Sequence, residues 1–527
     1  MNAHKIVRAP VVSIPWVALL VTVLAAATTA AQAPPLSAPT RAYRPQFHFT
    51  PRVNWMNDPN GLVYFAGEYH LFYQHNPFGN TWGHMSWGHA VSRDLVHWRQ
   101  LPVAIPERGN EMVFSGSAVV DWNNTSGFGR NGQPPLVAIY TAHHESPRHE
   151  AQALAYSTDR GRTFTRYAGN PVLDLGLADF RDPKVFWHEP TQRWVMVVVR
   201  SPEHRVQLYG SRNLKEWEHL SDFGPAGATG GVWECPDLFE LPLDNDSTRT
   251  RWVMIVNLNP GSVAGGSGAQ YFVGDFDGTR FTLDPAAHPN DRALWADYGK
   301  DFYAAVSWSD IPRHDGRRVW IGWMNNWDYA GVIPTSPWRS ALSVPRVLTL
   351  QTTPDGVRLV QQPVAELARL RGARRHIQTQ SIAEGTHSLV AKGISGKALD
   401  IVAEFDQGTA SEFGLLVRAG GNDATVIGID GATKQLFVDR SHSGQTGFHP
   451  TFAGRQTAPV TLDGRRVRLR ILVDRSSVEV FADDGRVVLT DQVFPLGANT
   501  GVSLYAKGGV ARLVSLDAWP MALDAPR

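Results

Sequence analysis

Three carboxylates lie in short segments whose composition restricts the backbone around them. Asp58 and Asp182 are each followed by a proline, which fixes the chain direction just after the acid. Arg181 precedes the second acid and is expected to keep Asp182 ionised. Glu234 lies in the segment Trp-Glu-Cys-Pro-Asp at 233–237, where apolar neighbours favour the protonated form of a carboxyl group. The sequence thus offers one carboxylate held charged and another held protonated.

Such a pair can hydrolyse a glycosidic bond. The leaving oxygen must be protonated while negative charge faces an oxocarbenium-like carbon, and two carboxyl groups supply both functions. If Asp58 forms a covalent intermediate, the configuration is retained, and the carboxyl groups of Asp58 and Glu234 must lie about 5–5.5 Å apart. Any one of these acids taken alone is explained as well by capping a turn. Three acids in restricted settings are harder to explain that way.

A repeat of about sixty residues indicates how distant acids could meet. The segment Ser-Arg-Asp-Leu-Val-His-Trp at 92–98 is echoed by Ser-Arg-Asn-Leu-Lys-Glu-Trp at 211–217, and looser copies begin at residues 157 and 274. Each copy follows an alternating apolar strand, so the unit is predicted to be a small antiparallel sheet. The mean spacing of about 61 residues divides residues 46–350 into five units, which predicts a five-bladed propeller.

The pattern of apolar and polar residues changes after residue 350. Residues 361–371 have an amphipathic helical pattern, and later segments alternate apolar and polar residues at turn-bounded intervals. We therefore predict an all-β protein with a five-bladed β-propeller at 45–350, a linker with a short helix at 351–373 and a C-terminal β-sandwich at 374–527. The 18 Trp, 48 Gly and 35 Pro of the 527-residue chain agree with many strands joined by tight turns.

The N-terminus has the features of an export signal. Lys5 and Arg8 precede a mostly apolar run at 16–27, and small residues follow it. A membrane anchor is the alternative, but the run is short for a span. We expect residues 1–33 to be a signal peptide and the mature protein to be secreted or periplasmic, with no membrane association after cleavage.

Composition excludes several other classes. Lys and Arg total 50 against 49 Asp and Glu, so there is no electrostatic reason to expect a nucleic acid partner. Cys235 is the only cysteine, which excludes an intrachain disulfide and a multi-cysteine metal site. His143, His144 and His149 are predicted to lie in a solvated loop. No metal or other cofactor is expected, and Cys235 is expected either to tune Glu234 or simply to be buried.

Seven motifs together give a more specific indication. The sequence resembles glycoside hydrolase family 32, the β-fructosidases that include levanases, exo-inulinases and invertases, over roughly residues 45–520. The motifs that carry the resemblance lie at 55–61, 114–117, 181–183, 234–236, 297–304, 323–327 and 337–340. The resemblance implies a five-bladed propeller carrying a β-sandwich, in agreement with the repeat.

The resemblance also implies a role for each matching residue. Asp58 would be the nucleophile that attacks C2 of the terminal fructosyl unit, and Glu234 the general acid and then base. Asp182, with Arg181, would hold the fructose hydroxyls. Further residues match positions that line the fructose pocket of relatives, namely Asn57, Gln74, Trp82, Ser117 and Trp323. Asp297 and Lys300 match positions that shape the acceptor side.

The expected function is a secreted, cofactor-free, retaining exo-β-fructosidase. Its partner would be a fructan or sucrose: terminal fructose would be removed from levan or inulin, and sucrose would also be cleaved. An invertase confined to sucrose and a non-catalytic fructan-binding protein remain alternatives. A fructosyltransferase is another, because the choice between water and sugar as acceptor depends on rim loops. The sequence leaves the oligomeric state open.

Overall fold

The structure is a computed structural model that describes Met1 and residues 42–288 and 292–522. The expected signal peptide therefore lies outside the described residues. The rest is built almost entirely of β-strands, with a few short 3₁₀ turns. Those turns are Glu189–Thr191, Ala330–Val332, Ala365–Leu370, Val390–Lys392 and Asp483–Gly485. No helix in the described ranges has the length and apolar character needed to cross a membrane.

Five antiparallel groups of strands follow one another along the first part of the chain, each forming one blade of a propeller. The first blade contains β1 (Asn54–Phe65), β2 (Glu68–His75), β3 (Ser86–Ser92) and β4 (Arg99–Ile105). The second contains β5 (Glu111–Val120), β6 (Leu136–Glu145), β7 (Arg148–Ser157), β8 (Thr165–Arg166) and β9 (Leu173–Leu177). The third contains β10 (Phe180–His188), β11 (Arg193–Arg200), β12 (Arg205–Ser211) and β13 (Glu218–Phe223).

The remaining two blades complete the ring. The fourth contains β14 (Val232–Leu243), β15 (Asp246–Asn259), β16 (Gly268–Phe276), β17 (Phe281–Leu283) and β18 (Leu294–Trp295). The fifth contains β19 (Tyr303–Ser307), β20 (Arg318–Met324), β22 (Ala341–Leu342), β23 (Arg346–Thr353) and β24 (Gly356–Pro363). A parallel pairing of β14 with β23 joins the fourth and fifth blades in one sheet. Strand β21 (Trp338–Arg339) pairs in parallel with β1 of the first blade, which closes the ring. The first strand of each blade, β1, β5, β10, β14 and β19, contacts its counterparts in both neighbouring blades.

The repeated motif forms the turn between the third and fourth strands of a blade. Asp94 accepts hydrogen bonds from two backbone N–H groups of the turn, and Trp98 Nε1 donates to the carbonyl oxygen of Leu95 at 3.0 Å. In the third blade, Trp217 Nε1 donates to the carbonyl oxygen of Leu214, also at 3.0 Å. The motif is therefore structural, and it places the same corner at the same point of successive blades.

The predicted end of the propeller at residue 350 falls short of the observed sheet. Strand β24 pairs residue by residue with β23, so it is the outermost strand of the fifth blade. The expected linker at 351–373 thus contains the end of β23 and the whole of β24, and its helix is the 3₁₀ segment Ala365–Leu370. The helical spacing arose because an edge strand with a buried face is followed directly by a turn that buries Leu367 and Leu370. The division of the chain into domains stays a prediction.

The C-terminal part is a sandwich of two antiparallel sheets. One sheet has the order β25-β37-β28-β33-β34-β35, with β26 also on β37, and the other has the order β27-β36-β29-β30-β31-β32. The first eight strands in chain order are β25 (Arg375–Ile377), β26 (Gln380–Ile382), β27 (Gly385–Ser388), β28 (Leu399–Asp406), β29 (Glu412–Gly420), β30 (Asp423–Asp430), β31 (Gln435–His442) and β32 (Arg455–Pro459). The last five are β33 (Arg466–Val473), β34 (Ser477–Ala482), β35 (Val487–Gln492), β36 (Gly501–Lys507) and β37 (Ala511–Pro520). Inward-facing aliphatic and Phe side chains of both sheets form one core, which confirms the sandwich.

A buried ionic network joins the propeller to the sandwich. Arg346 on β23 contacts Asp297 at 3.0 Å and Glu479 of β34 at 2.6 Å. His48 lies between Glu479 at 2.7 Å and Asp474 at 2.8 Å. Burial lowers the pKa of His48, but hydrogen bonds and charges from Asp474 and Glu479 outweigh burial and raise it to about 9. The imidazole is thus a cation between two carboxylates.

Candidate active site

One end of the propeller channel holds a cavity of about 380 Å³. Residues of all five blades line it, because the first strands of the blades all start at this end. The lining residues are Asn57, Asp58, Gln74, Trp82, Phe114, Ser115, His143, Glu145, Arg148, Glu150, Arg181, Asp182, Val232, Glu234, Asn259 and Trp327. All three acids that the sequence singled out therefore face one space.

Each of the five inner strands has a β-bulge at this end. The pairing register shifts between Met56 and Pro59 on β1, between Arg181 and Lys184 on β10, and between Glu234 and Asp237 on β14. Strands β5 and β19 have corresponding shifts. Proline has no N–H to donate to a sheet, so it is tolerated at bulges, and a bulge re-aims the side chain beside it. The acid-proline pairs of β1 and β10 mark these bulges.

Asp58 is buried and surrounded by neutral hydrogen-bond donors. Its Oδ1 accepts from Asn57 Nδ2 at 3.0 Å, and its Oδ2 accepts from Ser115 Oγ at 2.6 Å. The thiol of Cys235 lies 3.5 Å from the same Oδ2. Burial raises the pKa of Asp58, and the nearby charge of Glu234 adds to this, whereas these hydrogen bonds lower it. The donors hold the carboxylate in place without the help of a cation.

Asp182 is held with its backbone in the left-handed region, at a φ of 67°. Its backbone N–H donates to Thr141 Oγ1 at 2.9 Å, and its Oδ2 accepts from the backbone N–H of Cys235 at 2.9 Å. A positive φ at a non-glycine residue costs of order 1–3 kcal/mol and persists where the surroundings enforce it. The strained residue is thus Asp182 itself, at the point where the bulge in β10 turns its side chain toward the cavity.

The expectation that Arg181 would keep Asp182 ionised is wrong. The guanidinium of Arg181 contacts Glu150 at 3.0 Å, Asp179 at 2.9 Å and Glu234 Oε1 at 3.1 Å, and it makes no hydrogen bond to Asp182. Burial, followed by the charge of Glu234, raises the pKa of Asp182 to about 8, and the charge of Arg181 only partly offsets this. Arg181 and Asp182 are adjacent in sequence, but their side chains have different partners because the bulge in β10 turns them in different directions.

Glu234 is the most accessible of the three acids, with 22% of its side chain exposed. Its Oε1 accepts a hydrogen bond from Arg181 Nε, and its Oε2 accepts one from the hydroxyl of Tyr303 on β19. Both donors come from other blades, so the carboxyl is oriented from two sides. An accessible, oriented carboxyl at the mouth of a cavity can exchange protons with a bound molecule and with water.

Cys235 bridges the other two acids rather than tuning Glu234 directly. Its Sγ lies 3.5 Å from Asp58 Oδ2 and 3.6 Å from Asp182 Oδ2. Burial raises the pKa of this thiol well above its ordinary value, and the neighbouring carboxylates raise it further. The thiol is therefore neutral and acts as a weak donor between two carboxyl groups.

The predicted pocket residues Asn57, Gln74 and Trp82 also line the cavity. Asn57 Oδ1 accepts from Trp55 Nε1 at 2.7 Å, which aims its amide at Asp58. Gln74 Nε2 donates to the carbonyl oxygen of Val113 at 3.0 Å. Trp82 is 43% exposed and stands at the rim. Asn57, Gln74 and Trp82 therefore surround the acids, and Trp82 lies nearest to solvent.

Ser117 and Trp323 do not line the cavity. Ser117 Oγ donates to the carbonyl oxygen of Pro183 at 2.9 Å and accepts from the N–H of Val185 at 3.0 Å, which ties β5 to β10. Ser115 takes the cavity position, because the bulge in β5 shifts the alternation of side chains. Trp323 is fully buried and packs behind Trp327, which lines the cavity, at a ring distance of 4.8 Å.

Asp297 and Lys300 lie at the interface with the sandwich rather than on the acceptor side of the cavity. The carboxylate of Asp297 accepts hydrogen bonds from Arg346 and from Thr490 of β35. Lys300 donates its backbone N–H to Asp491 at 3.1 Å, and its Nζ contacts Asp328 at 3.2 Å. The side chain of Asp297 thus joins the two parts, whereas Lys300 joins them through its backbone and its side chain reaches Asp328, next to the cavity residue Trp327.

Sequence reasoning missed several residues at the cavity. His143 was expected in a solvated loop, but it is buried on β6, stacked on Phe114 at 4.0 Å, and its Nδ1 lies 3.1 Å from Glu150. The alternation of the hairpin strands β6 and β7 could have indicated this burial. Among residues 42–288 and 292–522, no group of three or more His, Cys, Asp or Glu side chains is arranged to hold a metal ion. The histidine works within a charge network: it contacts Glu150, which contacts Arg181, which contacts Glu234.

Comparisons with known proteins agree with this architecture. Residues 48–363 match the family model described as "Glycosyl hydrolases family 32 N-terminal domain", and residues 366–520 match "Glycosyl hydrolases family 32 C terminal". The chain is 54% identical to a levanase of Bacillus subtilis (strain 168) over 484 residues, which is 91% of this chain and 70% of that protein. The crystal structure of an exo-inulinase from Aspergillus awamori has a TM-score of 0.85 at 44% identity, covering 91% of this chain and 98% of that one. A fructofuranosidase from Schwanniomyces occidentalis complexed with fructose has a TM-score of 0.83 at 35% identity, covering 93% of this chain and all of that one.

Proposed function

This chain belongs to glycoside hydrolase family 32, and on that premise we propose that it is a retaining exo-β-fructosidase acting on fructans. It removes terminal non-reducing fructose from levan (β-2,6) and inulin (β-2,1), and it also cleaves sucrose. Similarity to a levanase and to an exo-inulinase over about nine-tenths of the chain supports this range of substrates. The observation that carries the proposal is that Asp58, Asp182 and Glu234 line one cavity.

In the first step, a carboxylate oxygen of Asp58 attacks C2 of the terminal fructosyl unit. The bond between C2 and the glycosidic oxygen breaks, and Glu234 transfers its proton to that oxygen, which leaves as an alcohol. Ser115, Asn57 and Cys235 are already hydrogen-bonded to Asp58, so no reorganisation is needed before the attack. The products of this step are a fructosyl ester of Asp58 and an ionised Glu234.

In the second step, water attacks C2 from the side that the leaving group has vacated. Glu234 accepts a proton from that water, and Asp58 leaves as a carboxylate, so two inversions give net retention. The accessibility of Glu234 suits this exchange, since it must first donate to the aglycone and then accept from water. Arg181 stabilises the charge that Glu234 gains in the first step.

Asp182 is proposed to bind hydroxyl groups of the fructosyl ring. Its Oδ2 accepts from the backbone N–H of Cys235, which leaves Oδ1 to bond a sugar hydroxyl. Burial is the first cause that raises the pKa of this carboxyl, so it can donate to that hydroxyl when protonated and accept from it when ionised. Contacts that strengthen as the ring flattens toward the transition state raise the rate.

Attack on chain ends, rather than within chains, is supported by the similarity to exo-inulinases and by the buried side chains below the acids. Below the acids, Lys184 Nζ donates to the carbonyl oxygen of Ser307 at 2.5 Å and contacts Asp237 at 3.4 Å. These side chains are buried, which supports a cavity that a chain end enters from one side.

We also propose that the protein is exported, with residues 1–33 as the signal peptide. The lysine, arginine and apolar run of this segment support export. The exo-inulinases of Aspergillus to which the chain is similar are described as extracellular. Fractionation of expressing cells, with N-terminal sequencing of the mature protein, tests this point.

The function is tested by initial rates on levan, inulin and sucrose, with product lengths measured by chromatography. We expect free fructose as the first product from all three. A ladder of oligomers from levan or inulin would contradict exo attack. Activity on sucrose alone would identify an invertase, longer products formed at high sucrose would identify a transferase, and binding without release of reducing sugar would identify a non-catalytic protein.

A further inference from the structure

The opposite end of the propeller channel holds a second hollow, with a volume of about 830 Å³. It is more than twice as large as the cavity around the acids. The inner strands face the acid cavity with their first residues and line this hollow with their last residues. Examples are Tyr64 and Phe65 of β1 and Val119 and Val120 of β5. None of the proposed catalytic steps uses it.

Aromatic side chains dominate the wall of this hollow. Trp122 is 58% exposed, a large value for a tryptophan, and its ring packs edge-on against Phe65 at 5.8 Å. Trp187 and Trp252, on the third and fourth blades, are half-buried. Partly exposed aromatic rings from three blades around one hollow are suited to the apolar C–H faces of sugar rings.

Two of these rings are fixed in orientation by hydrogen bonds. Trp122 Nε1 donates to Asp310 Oδ1 at 2.9 Å, and Trp187 Nε1 donates to Glu189 Oε2 at 2.8 Å. Asp310 is itself fixed, because its Oδ2 accepts from the backbone N–H of Val120 at 2.9 Å. The rings are thus preorganised, and a ligand need not immobilise them.

The charges in the hollow indicate a neutral ligand. Three basic and three acidic side chains line it, so neither sign prevails. They are Lys184, Arg313, Arg318, Asp310, Glu189 and Glu240. A phosphorylated, nucleic acid or strongly acidic ligand would meet as many like charges as opposite ones, whereas a neutral polyol finds both donors and acceptors.

The hollow is separate from the active site. Among the residues that the structure describes, none lines both the hollow and the cavity, and Lys184, two positions after Asp182 on β10, makes buried contacts with Ser307 and Asp237. Along β1, Tyr64 lies six positions after Asp58, which corresponds to roughly 20 Å at the rise of a β-strand. A chain end held at Asp58 and a segment held in the hollow must therefore reach the protein from opposite faces.

We propose that this hollow is a second, non-catalytic binding site for fructan, which holds a neutral segment of several fructosyl units on the aromatic faces of Trp122, Trp187 and Trp252. The inference rests on the proposed function for the identity of the sugar. A protein bound to polymer through this site keeps chain ends at a high effective concentration near the active site. Long fructans therefore benefit from the site, and sucrose, which is too small to occupy both places, does not.

The test is affinity electrophoresis in gels that contain levan or inulin, with Asp58→Asn in every sample so that the polymer is not degraded. We expect retardation of this protein in both gels and none in a dextran gel. Adding Trp122→Ala and Trp187→Ala should weaken the retardation at least several-fold. Trp519→Ala, which removes a half-buried tryptophan of the sandwich, is the matched control and should leave retardation unchanged.

Kinetics of the catalytically intact chain give the second readout. Trp122→Ala and Trp187→Ala should raise KM for levan several-fold and leave kcat and the sucrose kcat/KM unchanged. Trp122→Ala alone, at an exposed turn, serves if the double variant unfolds. Retardation that is unchanged by the tryptophan substitutions, or equal in dextran, would overturn the proposal. Absence of fructose release by the wild-type protein would instead contradict the proposed function, so the two failures are distinguishable.

Discussion

Buried carboxylates occur in two regions of this molecule, and they differ in their partners. At the junction of propeller and sandwich, Glu479 contacts both Arg346 and His48. In the cavity, Asp58 and Asp182 make hydrogen bonds only to neutral groups within the described part of the chain. Burial raises the pKa of all three, but the cations reverse the direction for Glu479 and lower its pKa.

The difference separates carboxylates that stabilise from carboxylates that react. A buried carboxylate between cations is locked in its charged form and contributes to the junction only as long as its partners remain. Asp182, without a directly bonded cation, has a pKa raised to about 8, within reach of neutral pH. Such a group can change its proton or its partner when a substrate enters. The two regions thus contain the same kind of side chain, which stabilises the fold at the junction and takes part in the reaction in the cavity.

The largest expected effect is on catalysis. Asp58→Asn should lower kcat on sucrose by about 10⁴-fold or more, because the amide cannot form the fructosyl ester. Glu234→Gln should have a large effect as well. The matched control is Asp297→Asn at the junction, which should retain kcat in the folded fraction. Near wild-type turnover by a well-folded Asp58→Asn protein would show that the reaction does not need this cavity carboxylate. The proposed difference between the cavity and the junction would then be wrong.

The next effect is on stability. Arg346→Met should destabilise the protein by about 3–5 kcal/mol, because it removes the cation from buried Asp297 and leaves buried Glu479 with His48 alone. Arg512→Met, which removes a surface contact with Asp406 at 3.0 Å, should cost about 1 kcal/mol or less. Urea unfolding followed by tryptophan fluorescence measures both. Equal effects of the two substitutions would show that the junction does not depend on its buried pairs.

Asp182 should show opposite effects on stability and activity. Its folded pKa, about 8, exceeds the unfolded value of 3.8, so its stabilising contribution is full below pH 3.8 and is lost as pH rises toward 8. Asp182→Asn removes this loss. We therefore expect a higher Tm than wild type at pH 8, a difference that shrinks toward pH 4, and a strong decrease in kcat. A lower Tm at pH 8 would contradict the assignment of burial as the dominant cause.

His48 at the junction should give the smallest effect. Its partners are two carboxylates, whereas those of Asp182 are neutral groups. Its pKa is raised from 6.5 to about 9 in the folded protein, so its contribution is full below pH 6.5 and is lost as pH rises through 9. His48→Gln should lower Tm more at pH 6 than at pH 10, as measured by thermal unfolding across that range. A Tm difference independent of pH would mean that the imidazole is neutral in the folded state.

The sequence predicted the architecture and the meeting of the acids, because both depend on features that repeat along the chain. The turn at 92–98 and its copies gave the number of blades, and the acid-proline pairs marked positions with a fixed backbone. Ring closure then brings Asp58 and Glu234 to one cavity, which confirms the propeller as the reason why acids so distant in sequence come together.

The errors came from contacts that no local pattern reports. The partner of Asp297 is Thr490, which is 193 residues away on the sandwich. The direction of Arg181 depends on a bulge and on Glu150, a residue of the neighbouring blade. Ser115 and Ser117 exchange roles for the same reason, since one extra residue in β5 shifts which side chain faces the cavity. Bulges decide the details of this site, and their register was not evident from the alternation of residue types.

The central claim, that Asp58 is the nucleophile and Glu234 the acid and base, is tested most directly by trapping the intermediate. Fructosyl fluoride needs no acid to release its leaving group, so Glu234→Gln should form the ester and hydrolyse it slowly. We predict that peptide mass spectrometry finds one fructosyl group on Asp58. A fructosyl group on Asp182, or none while fructose of inverted configuration is released, would contradict the account.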